Sequence, residues 1–369
     1  MFLAWREIKH SKLRYLLIGL IIMLIAWLVF FLSGLANGLS TANGASIQSM
    51  KADYVVFDKN SSVSMLRSLL PDSMVDEIKK TPGVKDAAPL GQLTVSIAKV
   101  NDEEQVDATI LATEPNSFLV PKINEGTSFH NDSNEIILDD SFKSYGYAIG
   151  DQLKIIQSDK VLKVVGFVSN QAYNHMPVLF MDIQHWQTLK FPTEQSKSGI
   201  ENPVSVIAVQ KDSDFNKDIL NQISNIDVVT KNTALQNLPG YSAESLSVNM
   251  MLFFLFIIAA FVLAVFFYVI TLQKSNQFGV LKAIGANTAF LSKNLIMQVL
   301  IVTAIGILVG VVLTYGIASV IPEKVPFALD NLTVAIYSLL LLVIALLGTI
   351  LSLGRIAKID ALQAIGRVE

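Results

Sequence analysis

The chain has 369 residues, of which 52% are hydrophobic and 16% are charged, and its formal net charge is −3. The hydrophobic share is too high for an ordinary soluble domain, and the charges are unevenly distributed, since four long apolar segments flank one polar stretch. The chain has no cysteine, which excludes disulfides, thiolate metal sites and cysteine nucleophiles. It also lacks a basic patch interleaved with aromatic residues, so nothing favours a nucleic-acid partner. We therefore predict a membrane protein with a large water-exposed domain.

The first 36 residues predict two helical segments of different kinds. In residues 1–15, MFLAWREIKHSKLRY, apolar and basic side chains fall on opposite faces, which predicts an interfacial amphipathic helix. Residues 16–36 are apolar and long enough to cross a bilayer, so they are predicted to form transmembrane helix 1. This run is too long for a signal peptide and lacks an obvious cleavage site.

Residues 37–249 form the polar stretch and are predicted to fold as an extracytoplasmic α+β domain. Strand-length runs such as ADYVVF, LTVSIAKV, VLKVVGFVS and VSVIAV alternate with turn residues, and SMVDEIKKT and DFNKDILNQISN read as helices. A domain of about 200 residues is large enough to be stable on its hydrophobic core alone.

Transmembrane helix 2, residues 250–272, leads into a coupling loop, residues 273–294, that begins KSNQFGVLKAIGA. The loop combines apolar residues at helical spacing with a set of lysines, which predicts a docking surface for a soluble motor. Gly285 is expected to end a short helix in a left-handed cap, with Asn287 and Thr288 starting the next. The apolar residues are Phe278, Leu281, Ile284 and Gly285, and the lysines are Lys274, Lys282 and Lys293.

Transmembrane helices 3 and 4 are predicted at residues 295–320 and 334–353, joined by a short outer loop, residues 321–333, and followed by a tail, residues 354–369. Basic residues concentrate before helix 1, in the coupling loop and after helix 4, so the positive-inside rule places both termini and the coupling loop in the cytoplasm of a multi-pass cell-membrane protein. Glycines four residues apart predict close helix contacts, and a four-helix subunit is thin enough that we expect a homodimer. These pairs are Gly34 with Gly38 and Gly306 with Gly310.

Three segments carry a family resemblance. KSNQFGVLKAIGA, WREIKHSKLRYLL and the run EGTSF…EIILDDSF…GYAIGDQLKI…KVVGFV resemble the FtsX/MacB superfamily of ABC transporter permeases, often called mechanotransmitters. QFGVLKAIGA is more similar to the DevC and hemin-efflux (HrtB-type) branch, and PGYSAE resembles the hemin-efflux branch specifically. Gln277 stands where many members have an acidic residue, and Lys282 stands where they have arginine. In the tail, Asp360 is followed by Ala361 where the family frequently has the proline of an Asp-Pro pair.

The resemblance implies a MacB-like core domain, membrane lipid around the helices and a separate ABC ATPase as partner. The implied coupling residues are Gln277, Phe278, Gly279, Leu281, Lys282, Ala283, Ile284 and Gly285. The chain contains no G-x-x-x-x-G-K-S/T motif, so ATP would be hydrolysed on the partner polypeptide. No nucleophile elbow, zinc-protease motif or paired histidines at metal-ligand spacing is present, which argues against an enzyme, a resident cofactor or a metal site.

Several side chains that are typical haem ligands fall near the predicted outer membrane surface. Phenolate, carboxylate, thioether and imidazole groups all ligate haem iron. The candidates are Tyr241, Glu244, Tyr173, Met50, Met250 and His175. The alternative reading makes Tyr241 an interfacial anchor, Glu244 a solvated helix-start residue and Met250 a lipid-facing side chain.

By resemblance, the function is that of an exporter subunit that expels hemin, which Gram-positive bacteria must remove, from the outer leaflet by ATPase-driven motion of helices 1 and 2. One alternative is a mechanotransmitter that controls an extracytoplasmic peptidoglycan hydrolase. The other is an exporter of a different amphiphile, such as a peptide, glycolipid or drug.

Overall fold

The computed structural model describes residues 6–7, 11–100, 102–131, 133–156, 158, 160–193, 197, 199–322 and 325–357. Most of the predicted interfacial helix and the tail from residue 358 onward lie outside the described residues. The chain divides into two compact units. We call residues Met1–Gly38 with Ser245–Glu369 the membrane unit, and residues Leu39–Glu244 the inserted domain.

The helices are α1 (Lys12–Ser49), α2 (Ser73–Lys79), α3 (Ile183–Lys190), α4 (Lys217–Leu220), α5 (Lys231–Gln236), α6 (Tyr241–Gln273), α7 (Ser275–Ala283), α8 (Thr288–Ala318) and α9 (Asn331–Ala357). The strands are β1 (Tyr54–Asp58), β2 (Leu70–Pro71), β3 (Val84–Lys99), β4 (Val106–Thr113), β5 (Glu125–Gly126), β6 (Glu135–Asp139), β7 (Gln152–Ile155), β8 (Val161–Val168), β9 (Ala172–Tyr173), β10 (Met176–Asp182), β11 (Pro203–Val204), β12 (Val206–Lys211) and β13 (Ile226–Thr230). Among the described residues, 3₁₀ helices cover Lys59–Ser61 and Asp140–Tyr145.

Within the described residues, four helices are long and apolar enough to cross a membrane, namely α1, α6, α8 and α9. This confirms the predicted four-helix membrane fold with a mixed α+β domain inserted between helices 1 and 2. Two of these helices extend beyond the predicted spans. α1 continues 13 residues past residue 36, and α6 begins nine residues before residue 250.

Glycines allow close contacts inside the membrane unit, as their spacing predicts. A Cβ added at Gly306 would lie 2.8 Å from the Ile22 side chain, and one at Gly310 would lie 3.0 Å from Ala26, so α8 packs closely on α1. Gly38 lies against the Pro326 backbone, on the connection between α8 and α9. Gly34 and Gly38 therefore pack against the loop between α8 and α9 rather than against another helix.

The inserted domain is built on one mixed sheet. Among the described residues, eleven strands join it, with a main path in the order β13-β1-β12-β3-β4-β10-β6-β8-β5. β7 pairs with β3 and β8, β9 pairs with β10, and β11 with β2 forms a separate two-stranded sheet. The β4–β10 and β6–β8 pairs are parallel, and the other pairs are antiparallel.

Both faces of this sheet are buried, because each face carries its own hydrophobic core. Alternate residues of the central strands point to opposite faces and therefore belong to different cores. On β4, Ile110 belongs to one hydrophobic core while its neighbour Leu111 belongs to the other. The first core also contains Trp186 of α3. The second core, which contains Leu111, Phe180 and Ile47 near the end of α1, lies beside the candidate functional site.

Candidate functional site

A tight hairpin presents one of the predicted ligands. β9 and β10 pair so that Tyr173 faces Met176, which leaves a two-residue turn of Asn174 and His175. Both turn residues have positive φ, 52° and 62°, as a type I′ turn requires. Asparagine and histidine are both enriched among the non-glycine residues that adopt this conformation. The turn is held in place because the two backbone N–H groups donate to the carbonyls of Asn43 and Ala42 in α1, at 2.7 and 3.0 Å.

The His175 side chain meets Glu244 on the first turn of α6. The distance from His175 Nε2 to Glu244 Oε1 is 2.9 Å, and both side chains are more than one-third exposed. The amide of Asn43 donates to the other carboxylate oxygen at 3.2 Å. A carboxylate, an imidazole and an amide therefore converge at one solvent-accessible point of the inserted domain.

Tyr241 extends this group along α1. Its hydroxyl lies 3.0 Å from the Ser40 hydroxyl and accepts from the Gln48 amide at 3.3 Å. Tyr241 begins α6 after Gly240, whose φ of +78° favours glycine, and the Glu244 N–H closes the first turn on the Gly240 carbonyl at 2.9 Å. The sequence PGYSAE thus fixes Tyr241 and Glu244 three residues apart on the first turn of α6.

We call Ser40, Asn43, Gln48, His175, Tyr241 and Glu244 the polar cluster. It brings together three of the predicted ligands. The three cluster members on α1 were not predicted from the sequence. Transmembrane helix 1 is predicted to end at residue 36, where the apolar segment stops, whereas these residues follow it. The available signal was the spacing of Ser40, Asn43 and Gln48, which recur near three- to five-residue intervals in a segment without proline.

The structure places the other three candidates in different surroundings. Tyr173 is 3% exposed within the second core, and burial raises its pKa well above the usual range, so its phenol is neutral. Met50 is 8% exposed and lines a small cavity of the inserted domain. Met250 lies on α6 within the membrane unit and is 50% exposed. Among the described residues, no group of three or more His, Asp or Glu side chains is arranged to hold a metal ion.

The coupling segment forms a short helix with two distinct sides. Phe278 is 2% exposed and packs in the core of the membrane unit, and Gly279 is also buried. Val280 and Ile284 are 51% and 76% exposed. The predicted single apolar face is therefore divided, since Phe278 holds α7 to the unit while Ile284 is open to a partner.

The ends of this segment follow the predicted capping pattern. Gly285 has φ +99°, and the Ala286 N–H donates to the Leu281 carbonyl at 2.9 Å, which is the left-handed termination expected of glycine. The Asn287 side chain then accepts from the Ala289 N–H at 3.1 Å and caps α8. Gln277, Lys282 and Ala283 lie on α7 between these features, with Gln277 and Ala283 exposed.

Lys274, one of the three lysines of the predicted coupling loop, is buried within the membrane unit. Its side chain is 5% exposed, and its ammonium lies 2.9 Å from Glu7 and 2.7 Å from the Gln298 amide oxygen. The Tyr15 hydroxyl donates to the same Gln298 oxygen at 2.6 Å, and the Gln298 amide nitrogen also donates to Glu7. Lys274 is therefore an internal tie between the N-terminal segment, α1, α8 and the start of α7, and it is closed to a docking partner in this structure.

Comparison with known proteins agrees with this architecture. The MacB-like periplasmic core domain matches residues 16–234, and the FtsX-like permease C-terminal domain matches residues 249–361. A Staphylococcus epidermidis protein named as a hemin transport system permease, HrtB, is 32% identical over 99% of each chain. The chain belongs to the FtsX/MacB family of ABC transporter permeases. A Staphylococcus haemolyticus permease of the same name is 31% identical over 100% of each chain.

The family also extends to more distant permeases of full length. An uncharacterized ABC transporter permease of Mycobacterium tuberculosis is 24% identical over 99% of each chain. The described fold, four membrane-length helices with a domain inserted after the first, is thus that of a multi-pass plasma-membrane permease, at modest identity to the hemin transport branch.

Proposed function

We propose that this permease is the membrane subunit of an ABC exporter that expels hemin from the outer leaflet. The observation that carries the proposal is the full-length similarity, 32% over 99% of both chains, to a protein named for hemin transport. The convergence of His175, Tyr241 and Glu244 in the polar cluster supports it independently, because these groups match the ligands that haem iron accepts.

Within the polar cluster, Tyr241 and Glu244 are the proposed haem ligands, with His175 as their neighbour. Glu244 has a partner on each carboxylate oxygen, so iron would replace either His175 or Asn43 at that group. Met50 and Met250 remain second candidates through their thioethers. Tyr173 is the weakest candidate, because a buried neutral phenol would have to leave the second core to reach iron.

A separate ABC ATPase supplies the energy in this proposal. It would dock on the exposed side of the coupling segment, at Gln277, Ala283 and Ile284, while Phe278, Gly279 and Leu281 transmit its movement to the core of the membrane unit. Lys282 and Gly285 complete the proposed coupling set. Two permeases and two ATPases would form the working unit, with both permease termini in the cytoplasm and the inserted domain outside.

The direct test is a hemin titration of the purified permease in detergent, read from the Soret absorption band. We expect saturable binding that Tyr241→Ala and Glu244→Ala weaken by at least tenfold, and that Tyr173→Phe leaves unchanged because it keeps the buried ring. Binding no stronger than to empty micelles would contradict hemin as the cargo.

A second measurement separates export from signalling. The permease and its ATPase are reconstituted in proteoliposomes, and hemin-stimulated ATP hydrolysis is followed together with hemin movement between leaflets. ATP-dependent movement supports export. Hydrolysis without movement of hemin or of any other amphiphile tested would favour the mechanotransmitter alternative, and movement of another amphiphile alone would change only the cargo.

A further inference from the structure

The cavity beside Met50 lies in the inserted domain and is lined by none of the three predicted ligands of the polar cluster. It has a volume of about 230 Å3 and is bounded by the end of α1, one face of the sheet and the loop of residues 118–122. Its apolar wall consists of Met50, Leu90, Leu111, Phe118 and Phe180. Small-molecule pockets usually enclose about 300–1,000 Å3, so this cavity suits a slender ligand rather than a porphyrin disc.

The cavity contains an unsatisfied hydrogen-bonding group. Ser46 lines it and is 6% exposed, yet its hydroxyl has no hydrogen-bond partner among the described residues. A serine in a helix usually satisfies its hydroxyl on the carbonyl four residues earlier, which here is Ala42. Within α1 that carbonyl accepts the backbone N–H of residue 46, and it also receives the His175 N–H of the hairpin turn, so both of its lone pairs are used. The Ser46 hydroxyl is thus left to a group that enters the cavity.

The rim of the cavity is positively charged. Lys51 and Lys122 line it, and both residues are exposed. Neither ammonium forms an ion pair with a carboxylate in the part of the chain that the structure describes. The neutral side chains of Asn124 and Ser169 line the same cavity. An apolar wall with two lysines and a free hydroxyl is complementary to a chain that ends in an anionic oxygen group.

We infer that this cavity binds a single-chain fatty acid, with the hydrocarbon against Leu111 and Phe180 and the carboxylate toward Ser46, Lys51 and Lys122. The cavity is lined by none of Tyr241, Glu244 and His175, shares only the second candidate Met50 with the proposed hemin ligands, and does not require hemin to be the cargo. Its ligand would bind to the folded inserted domain and stabilise it by an amount that grows with the logarithm of its concentration once that exceeds the Kd.

Photoaffinity labelling of the full-length permease in lipid nanodiscs tests the inference. The probe is dodecanoic acid with a diazirine at the end of its chain, and the adducts are located by peptide mass spectrometry. We expect labelling of the peptides that contain Leu111 or Phe180, against which the end of the hydrocarbon chain lies. The matched neutral probe, the corresponding dodecanol, should label them at least fivefold less because it lacks the carboxylate.

Three variants identify the groups responsible. Val120→Trp, on the half-buried loop, should fill the cavity and reduce labelling at least tenfold. Lys51→Gln with Lys122→Gln should reduce it at least fivefold, whereas Lys154→Gln, an exposed lysine on β7 outside the cavity, should leave it unchanged.

Hemin binding by the same nanodisc samples is measured in parallel. Retained fatty-acid labelling without hemin binding would remove the proposed cargo and keep this site. Labelling confined to the membrane helices, equal labelling by the neutral probe, or no effect of Val120→Trp would overturn the inference. Stoichiometric competition by hemin would also overturn it, since the two ligands would then share one site.

Discussion

Replacing Glu7 by glutamine tests the internal tie at Lys274. The change removes the carboxylate that lies 2.9 Å from the ammonium and leaves a charge that is 5% exposed with neutral partners. Removing one member of a fully buried ion pair costs about 3–5 kcal/mol. Glu7 is itself 26% exposed, and Gln298 and the Tyr15 ring still face the ammonium, so we expect a loss of about 2 kcal/mol. That loss is about a 30-fold change in the unfolding equilibrium.

The assay is an SDS titration of the detergent-solubilised permease, followed by circular dichroism. Glu7→Gln, Lys274→Met and the double variant form a mutant cycle, in which the double variant should lose at least about 1 kcal/mol less than the sum of the single losses. Lys12→Gln is the control, because this exposed lysine should change stability by less than about 0.5 kcal/mol. Additive effects of the two single variants would show that Glu7 and Lys274 do not interact. A loss of stability in Glu7→Gln no larger than in the control would show the same.

Three further changes test other parts of the structure. Gly38→Ala should lower the melting temperature, because its Cβ would overlap the Pro326 carbonyl and such overpacking costs about 1–3 kcal/mol. Gly316→Ala is the control, since a Cβ at that position meets open space. Equal thermal shifts for the two variants would contradict this packing. Ile284→Asp should reduce co-purification of the ATPase at least tenfold without altering permease stability, because Ile284 is 76% exposed; undiminished co-purification would exclude it from the docking surface. The hydrogen bond from Lys99 holds the pKa of Asp151 below its ordinary 3.8, so Asp151→Asn should lower the free energy of unfolding near pH 6. The difference between the variant and the native chain should close as the pH falls below about 3.8. Acid unfolding curves that stay separated by a constant amount would contradict this linkage.

Hydropathy predicted the membrane fold because it identifies segments that are apolar enough to lie in lipid. For the same reason it could not predict where a helix continues beyond the lipid. α1 continues to Ser49 after its lipid-like segment ends, because Ile47 is then buried against the sheet rather than against lipid. Strand alternation likewise predicted the mixed α+β domain. It did not predict the partner of each strand, since pairing depends on contacts between distant parts of the chain.

Single residues of the candidate sites were harder to assign. Tyr173 and His175 are two positions apart and were equal candidates, but the hairpin turn sends one into the core and the other to the surface. Lys274 and Lys282 belong to one basic segment, yet only Lys274 meets Glu7, which is 267 positions away in sequence. Local patterns identify the chemical groups, and the tertiary fold decides which of them are accessible.

The hydrogen bond between Ser40 and Tyr241 has a consequence for chain entropy. These residues are 201 positions apart, and the nearby Asn43–Glu244 contact spans the same separation, so the inserted domain is a closed loop whose ends are joined by its own side chains. Bringing together the ends of a flexible chain of that length costs about 5 kcal/mol. Contacts within the domain offset this entropic cost. A change in the length of the domain therefore does not add to the free energy that packing of the membrane helices must supply. An insertion that closes on itself in this way is a natural unit for transplantation between permeases.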